Sequence, residues 1–187
     1  WGTISADPEL GYAYLPVSSV SHDRYGGERP GENLFSDCLV AVDARTGEYI
    51  WHYQLIHHTL WNYDPPAAPI LLDVTIDGEL RKIVVQVTKQ SYAYVFDRIT
   101  GEPIWPIEER PAPASDVEGE VTSPTQPHPT RPAPYDRQGF TVDDLIDFTP
   151  ELREQALQEL GDRRTGPLYT PPSLGGSVQM PGELGGA

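Results

Sequence analysis

The residues best suited to chemistry lie in one short run, His57-His58-Thr59-Leu60-Trp61-Asn62-Tyr63-Asp64. Asp64 could accept a proton, whereas the amide of Asn62 cannot and could offer only its carbonyl oxygen to a cation. The two histidines resemble a metal-binding pair, but adjacent residues of a strand point to opposite faces, so a zinc site is not favoured. Lys89, taken by itself, is more simply a solvated lysine on a strand.

A repeated pattern indicates which elements must position these side chains. The pattern Asp-x-x-Thr-Gly-Glu-x-Ile-Trp begins at Asp43 and again at Asp97, and it ends at Trp51 and Trp105. Aspartate can bind turn amides, glycine supplies a positive φ and tryptophan can pack between neighbouring sheets. Short strands repeated roughly every 50 residues are typical of a β-propeller, in which each blade is a four-stranded antiparallel sheet.

The pattern predicts three parts. Residues 1–105 are expected to form propeller blades, with a hairpin turn at Asp77-Gly78. Residues 106–140 are rich in proline and are expected to form a long loop without regular structure, either disordered or functional. Residues 141–187 are expected to contain short helices and the start of a further blade. One helix is predicted to begin at the N-cap Thr149, and its apolar stripe is predicted to pack in the core.

Composition excludes some functions and leaves others open. The chain has 187 residues and a formal net charge of −15, so a nucleic acid is not an expected partner. The single cysteine, Cys38, can form no internal disulfide and is expected to be a buried, inert thiol. No apolar run is long enough for a membrane helix, and no signal peptide is visible. We expect an internal segment of a longer protein.

Taken together, these motifs resemble the pyrroloquinoline quinone (PQQ)-dependent, or quinoprotein, dehydrogenases, and in particular their membrane-bound glucose dehydrogenase-like branch. The segment from Trp51 to Pro69 resembles the family's W-x-[FY]-Q-x-x-H-H-D-x-W-D-x-D-x-P-A-x-P, and the run around Lys89 resembles the strand with its cofactor-binding lysine. Ser123–Pro127 and Tyr169–Ser173 also resemble that branch. The resemblance implies an all-β fold, about two blades of an eight-bladed β-propeller that holds PQQ and Ca²⁺ on its axis.

The same resemblance implies an activity and a set of site residues. The family oxidises a sugar or alcohol hydroxyl to the carbonyl in the periplasm and passes the electrons to a quinone or a cytochrome. The family's catalytic aspartate corresponds to Asn62, and Asp64 is its possible substitute. Lys89 and Trp61 are expected to contact PQQ. Asn62 and Ser19 are candidate calcium ligands, Ser19 because it lies where some relatives carry an asparagine.

Three hypotheses follow. The first is a PQQ-dependent dehydrogenase, which Lys89 and the segment from His57 to Asp64 favour. The second is a non-catalytic or degenerate propeller that acts as a binding or scaffold module, as in outer-membrane assembly lipoproteins; Asn62 favours it because an amide cannot act as a base. The third is a structural segment without activity of its own.

Overall fold

The computed structural model describes residues 2–183, and its first sheet is a complete four-stranded blade. The sheet is antiparallel, and its strands are adjacent in sequence order. They are β1 (Ser5–Asp7), β2 (Tyr12–Val17), β3 (Cys38–Asp43) and β4 (Tyr49–Gln54). The continuous apolar run of β3 is buried because β3 is an interior strand with neighbours on both sides.

The second sheet is an antiparallel meander of three strands. They are β5 (Ile70–Ile76), β6 (Glu79–Val87) and β7 (Ala93–Asp97). Asp77 and Gly78 join β5 to β6 with φ values of 51° and 84°, which confirms the predicted hairpin turn. A fourth strand is reduced to a bridge between Phe96 and Pro103, since proline has no amide with which to extend the ladder. The prediction of four strands in each blade therefore holds for the first sheet only, within residues 2–183.

The two copies of the repeat form the same turn. Asp43 Oδ1 accepts hydrogen bonds from the main-chain amides two and three residues later, both at 2.8 Å. Asp97 Oδ1 accepts from the equivalent amides at 2.9 and 3.0 Å. Each aspartate thus organises its own turn locally, as the pattern predicted.

The first turn also docks one sheet on the next. The indole of Trp51 lies against Gly101, where a Cβ would be only 2.5 Å from Trp51 Cδ2. Trp51 Nε1 and the hydroxyl of Tyr14 both donate to the main-chain oxygen of Arg98, at 3.3 and 2.8 Å. Glycine is needed at this position both for its φ of 77° and for the close approach of the ring.

A buried ion pair fastens the two sheets at the same place. Arg98 Nε lies 2.7 Å from Asp7 Oδ2, and Arg98 Nη1 lies 2.5 Å from Asp73 Oδ1. Asp7 ends β1 of the first sheet, whereas Asp73 belongs to β5 of the second. The core between the sheets includes Tyr14, Leu39, Trp51, Leu55, Ile56, Leu60, Tyr63, Val84, Tyr94 and Phe96.

The proline-rich part is not the irregular loop that its composition predicted. Two strands, β8 (Ile107–Pro111) and β9 (Thr125–Pro129), form an antiparallel ladder. Every second pair of this ladder contains a proline: Ile107–Pro129, Glu109–Pro127 and Pro111–Thr125. Alternate pairs of an antiparallel ladder exchange no hydrogen bonds, so prolines confined to those pairs cost the ladder no donor.

Beyond the ladder the chain is mostly irregular. A short 3₁₀ helix spans Val142–Asp144, and α1 spans Pro150–Leu160. Thr149 Oγ1 accepts from the amide of Leu152 at 3.2 Å, which confirms the predicted N-cap. The prediction that the apolar stripe packs in the core is wrong for most of the helix: Leu152 and Leu157 are 39% and 41% exposed, and only Leu160 is buried. Within the described range, no helix has both the length and the apolar character to cross a membrane.

Candidate cofactor and catalytic site

Four loop segments converge next to the core of the first sheet. They are the residues after β2, the residues before β3, the loop from Leu55 to Pro69 after β4, and the turn after β6. The main chain holds three of them together, because the amide of Asp37 donates to the oxygen of Ser18 at 3.3 Å and the amide of Leu55 donates to the oxygen of Asp37 at 2.8 Å. Loops carried on a rigid sheet are suited to presenting functional groups.

Asp64 and Lys89 form the centre of this cluster. Lys89 Nζ donates to Asp64 Oδ2 at 3.1 Å and to the main-chain oxygen of Asn62 at 3.0 Å. The Lys89 and Asp64 side chains are only 8% and 9% exposed, so a solvated lysine is excluded in this structure. The main-chain amide of Ser19 donates to the other oxygen, Asp64 Oδ1, at 2.9 Å. The tertiary structure therefore brings together four residues that the sequence nominated separately.

Asn62 and Trp61 occupy different surroundings. Asn62 is half-buried and has a φ of 53°, a left-handed conformation that asparagine tolerates better than most residues. Trp61 is 2% exposed, and its Nε1 donates to the oxygen of Thr170 at 2.9 Å. Its ring meets Tyr169 edge to face, with centroids 5.2 Å apart. Trp61 thus packs the loop from Leu55 to Pro69, here called the site loop, against residues 169–170.

Asp37 is the residue of this site that the sequence analysis missed. Its side chain is fully buried, and its carboxylate accepts from Ser19 Oγ at 2.7 Å and from Ser36 Oγ at 3.2 Å. Burial raises the pKa of Asp37 to about 6, against the lowering effect of the nearby hydroxyls of Ser19, Thr59 and Ser36, and the charge of Asp64 adds to the rise. The available signal was an acid directly before the apolar run of β3, where a side chain is expected to be buried.

Thr59 stands where the family motif has an acid, and it faces the same cluster. Its side chain is fully buried, and its hydroxyl is near enough to Asp37 to affect the pKa of that carboxyl. Arg29 Nη2 donates to the main-chain oxygen of Thr59 at 2.5 Å. This hydrogen bond joins Arg29, in the long connection between β2 and β3, to the middle of the loop from Leu55 to Pro69.

The two histidines have separate partners. His57 Nε2 lies 3.0 Å from Glu109 Oε1 on β8. The buried ring of His58 contacts the oxygen of Gly31 at 2.7 Å through Nδ1 and Glu120 Oε1 at 2.6 Å through Nε2. The histidines therefore tie the site loop to the proline-rich part of the chain.

The side chains of this cluster fit a quinone more fully than they fit a metal ion. A buried ammonium group at Lys89 beside a half-buried loop suits the hydrogen-bond acceptors of a quinone. The carboxylates of Asp37 and Asp64 and the amide of Asn62 are hard oxygen donors of the type that Ca²⁺ prefers. Among residues 2–183, however, no group of three or more His, Cys, Asp or Glu side chains is arranged to hold a metal ion. A calcium ion here would need amide, hydroxyl or main-chain oxygens, or ligands from elsewhere in the protein.

Comparison with known proteins agrees with this geometry. The sequence profile of the β-propeller domain of PQQ-dependent glucose/ethanol/alcohol dehydrogenases matches residues 1–187. The chain is 34% identical, over its whole length, to a quinate/shikimate dehydrogenase (quinone) of Acinetobacter baylyi. It is 37% identical, over 99% of its length, to a quinoprotein glucose dehydrogenase of Gluconobacter oxydans. The chain spans only 23% of the length of each of these relatives.

Solved structures show the same fold. A quinohemoprotein alcohol dehydrogenase of Comamonas testosteroni superposes with a TM-score of 0.54 and 27% identity, over 70% of this chain and 19% of the other. One from Pseudomonas putida HK5 superposes with a TM-score of 0.52 and 36% identity, over 60% and 18%. These likenesses confirm the all-β prediction of part of a propeller. The chain belongs to the PQQ-dependent glucose/ethanol/alcohol dehydrogenase β-propeller family.

Proposed function

We propose that the protein containing this chain oxidises a sugar or alcohol hydroxyl to the carbonyl with PQQ as cofactor. The observation that carries the proposal is the buried Lys89–Asp64 pair beside Asn62, within the segment that resembles the family's catalytic motif. A scaffold has no need of a buried ammonium–carboxylate pair, because burying two charges costs free energy that apolar packing avoids.

The residues of the chain have separate roles in this proposal. Asp64 accepts the proton of the substrate hydroxyl, since Asn62 at the family's position cannot. Lys89 would hold the quinone by hydrogen bonds from its ammonium group, whose positive charge would favour negative charge on the cofactor. PQQ, when bound, supplies the hydride acceptor. Trp61 holds the loop beside the cofactor, and Asn62 and Ser19 offer oxygens to Ca²⁺.

The surroundings of the reaction are also part of the proposal. We assign the protein to the periplasm and its electrons to a quinone or a cytochrome. The quinone is supported by the name of the Acinetobacter baylyi relative, a quinate/shikimate dehydrogenase (quinone). Relatives of similar sequence identity include a quinate, a glucose and a glycerol dehydrogenase. A panel of sugars and alcohols is therefore needed to identify the substrate.

The test uses the full-length protein with PQQ and Ca²⁺, and measures dye reduction with a panel of sugars and alcohols. Asp64→Asn should lower kcat by about 100-fold or more, the usual contribution of a general base. Asn62→Asp should raise kcat, because it returns a carboxylate to the family's position. Asp77→Asn is the matched control, since Asp77 lies in an exposed turn whose left-handed conformation asparagine accepts.

Two results would contradict the proposal. Full activity in Asp64→Asn would exclude Asp64 as the base. Failure of the full-length protein to retain PQQ, together with no turnover on any substrate, would exclude the dehydrogenase and favour the degenerate propeller. The presence of Asn62 is the specific observation on which that second function rests.

A further inference from the structure

Asp37 and Asp64 are joined by a single residue. Ser19 donates its main-chain amide to Asp64 Oδ1 at 2.9 Å and its hydroxyl to Asp37 Oδ1 at 2.7 Å. Both aspartates are buried, so water competes little for either contact. The bridge links a carboxylate at the start of β3 to the candidate base on the loop after β4.

The surroundings of Asp37 do not explain its presence by packing alone. Burying a carboxylate is costly, and Asp37 accepts hydrogen bonds from the neutral hydroxyls of Ser19 and Ser36, with the hydroxyl of Thr59 also nearby. Hydrogen bonds from neutral hydroxyls offset only part of the cost of burying a charge. Groups held at such a cost inside a candidate site are candidates for a role in that site.

We propose that Asp37 is a positioning residue that acts through Ser19 to hold the Asp64 carboxylate in the orientation required to accept the substrate proton. The inference rests on the proposed function, because it assigns a role relative to Asp64. Its basis is that fixing the Ser19 hydroxyl restrains the side chain, and hence the direction of the amide in contact with Asp64. Outer residues that orient a reacting group contribute to rate through geometry, and small displacements of that group are costly.

The test compares a variant that removes the bridge with one that weakens it, both in the full-length, PQQ-loaded protein. Ser19→Ala keeps the amide that contacts Asp64 but removes the tether to Asp37. Asp37→Asn keeps the shape and an acceptor oxygen but removes the charge, which weakens the hydrogen bond from Ser19. Each should lower kcat by about tenfold with KM within about twofold, and the double variant should be no slower than the slower single variant. Ser36→Ala is the matched control, since Ser36 contacts the other oxygen of Asp37, Oδ2.

Readouts independent of turnover complete the test. PQQ affinity, measured by absorbance titration, should be unchanged in both variants, because Lys89 is left in place. A crystal structure of Asp37→Asn should show the Ser19 N to Asp64 Oδ1 contact lengthened beyond 2.9 Å. Because Ser19 is also a candidate Ca²⁺ ligand, kcat of Ser19→Ala is measured at saturating Ca²⁺: a loss that persists supports the tether to Asp37, and a loss that Ca²⁺ restores would overturn it. If Asp37→Asn does not fold, this comparison decides the matter.

The outcomes separate this inference from the proposed function. If Asp64→Asn abolishes turnover while Ser19→Ala and Asp37→Asn retain the full kcat, the positioning role is excluded and the function stands. A loss in Ser36→Ala equal to that in Asp37→Asn would also exclude it, because the effect would not pass through Ser19. If Asp64→Asn is fully active, the proposed function itself fails.

Discussion

Asn62 and Asp64 lie two positions apart and offer Lys89 different groups. The family motif predicts an aspartate at Asn62, and the residue present there offers Lys89 its main-chain oxygen instead. Asp64 receives both the ammonium group of Lys89 and the amide of Ser19. Asp64, which the motif also has, is thus the carboxylate in contact with Lys89, and the Asp64→Asn and Asn62→Asp variants test whether it accepts the substrate proton.

His128 provides a prediction about stability and pH. Burial, followed by the positive charge of Arg110, lowers the pKa of His128 from 6.5 to about 4, and its Nδ1 lies 2.6 Å from the hydroxyl of Tyr92. Between pH 6.5 and 4 the unfolded chain takes up a proton that the folded chain does not. The free energy of unfolding should therefore be at its full value above pH 6.5 and fall by roughly 3 kcal/mol towards pH 4.

The variant His128→Gln removes this titration and keeps a polar partner for Tyr92. Urea denaturation of the chain and the variant at several pH values gives the difference in the free energy of unfolding. That difference should change between pH 6.5 and 4 in favour of the variant and be constant above pH 6.5. A difference that is independent of pH would show that His128 has an ordinary pKa.

At the level of elements, the docking turns make the two sheets into neighbouring blades. Gly47 and Gly101 are equivalent positions of the repeat, with φ values of 75° and 77°. Their surroundings differ, because Gly101 is covered by Trp51 whereas no atom lies within 4 Å of a Cβ built on Gly47. Substitutions at the two positions therefore share the strain of a positive φ, but only the one at Gly101 adds a steric clash.

Substituting each glycine by alanine measures these two costs. Gly47→Ala should destabilise the chain by about 1 kcal/mol, the cost of placing a side chain at positive φ. Gly101→Ala should cost about 1–3 kcal/mol more, because its Cβ would overlap the indole of Trp51. Urea denaturation of the 187-residue chain gives both values. Equal destabilisation would show that Trp51 does not pack on Gly101.

At the level of the whole molecule, one buried contact joins segments that are distant in sequence. Glu120, in the proline-rich part, contacts His58 of the site loop at 2.6 Å and accepts a hydrogen bond from the amide of Gly26. The side chains of His58 and Glu120 are 3% and 2% exposed. A Cβ at Gly26 would lie 2.3 Å from His58 Nε2, so the three segments are tightly packed here. This contact holds the proline-rich part against the site.

Glu120→Ala should release that part of the chain. Loss of the carboxylate leaves Nε2 of the buried His58 ring without its hydrogen-bond partner, which typically costs about 1–3 kcal/mol. Limited proteolysis followed by mass spectrometry should then detect faster cleavage between residues 112 and 124. Glu118→Ala is the control, because Glu118 is exposed on the same segment. Equal cleavage in both variants would show that the His58–Glu120 contact does not hold the proline-rich part against the site.

Local signals were sufficient for much of the fold. The turns at Asp43 and Asp97, the Asp77-Gly78 hairpin and the Thr149 N-cap each depend on residues within a few positions of one another. Such interactions form in the same way wherever the segment lies. The proline-rich ladder could not be predicted, because whether a proline falls on a non-hydrogen-bonded pair depends on the register with a distant strand. The exposed stripe of α1 could not be predicted either, because an apolar face does not specify what covers it.

The sequence by itself determined the family, the repeat and the candidate residues Asn62, Asp64 and Lys89, since motifs are patterns of residue type and spacing. Only the tertiary structure decided that Lys89 is buried against Asp64 and that Asp37 joins the site through Ser19. The contact between Ser19 and Asp64 connects residues 45 positions apart, and no local pattern encodes such a distance. Long-range contacts are fixed by how the sheets and loops pack, so the chemistry of the segment from His57 to Asp64 depends on the tertiary fold.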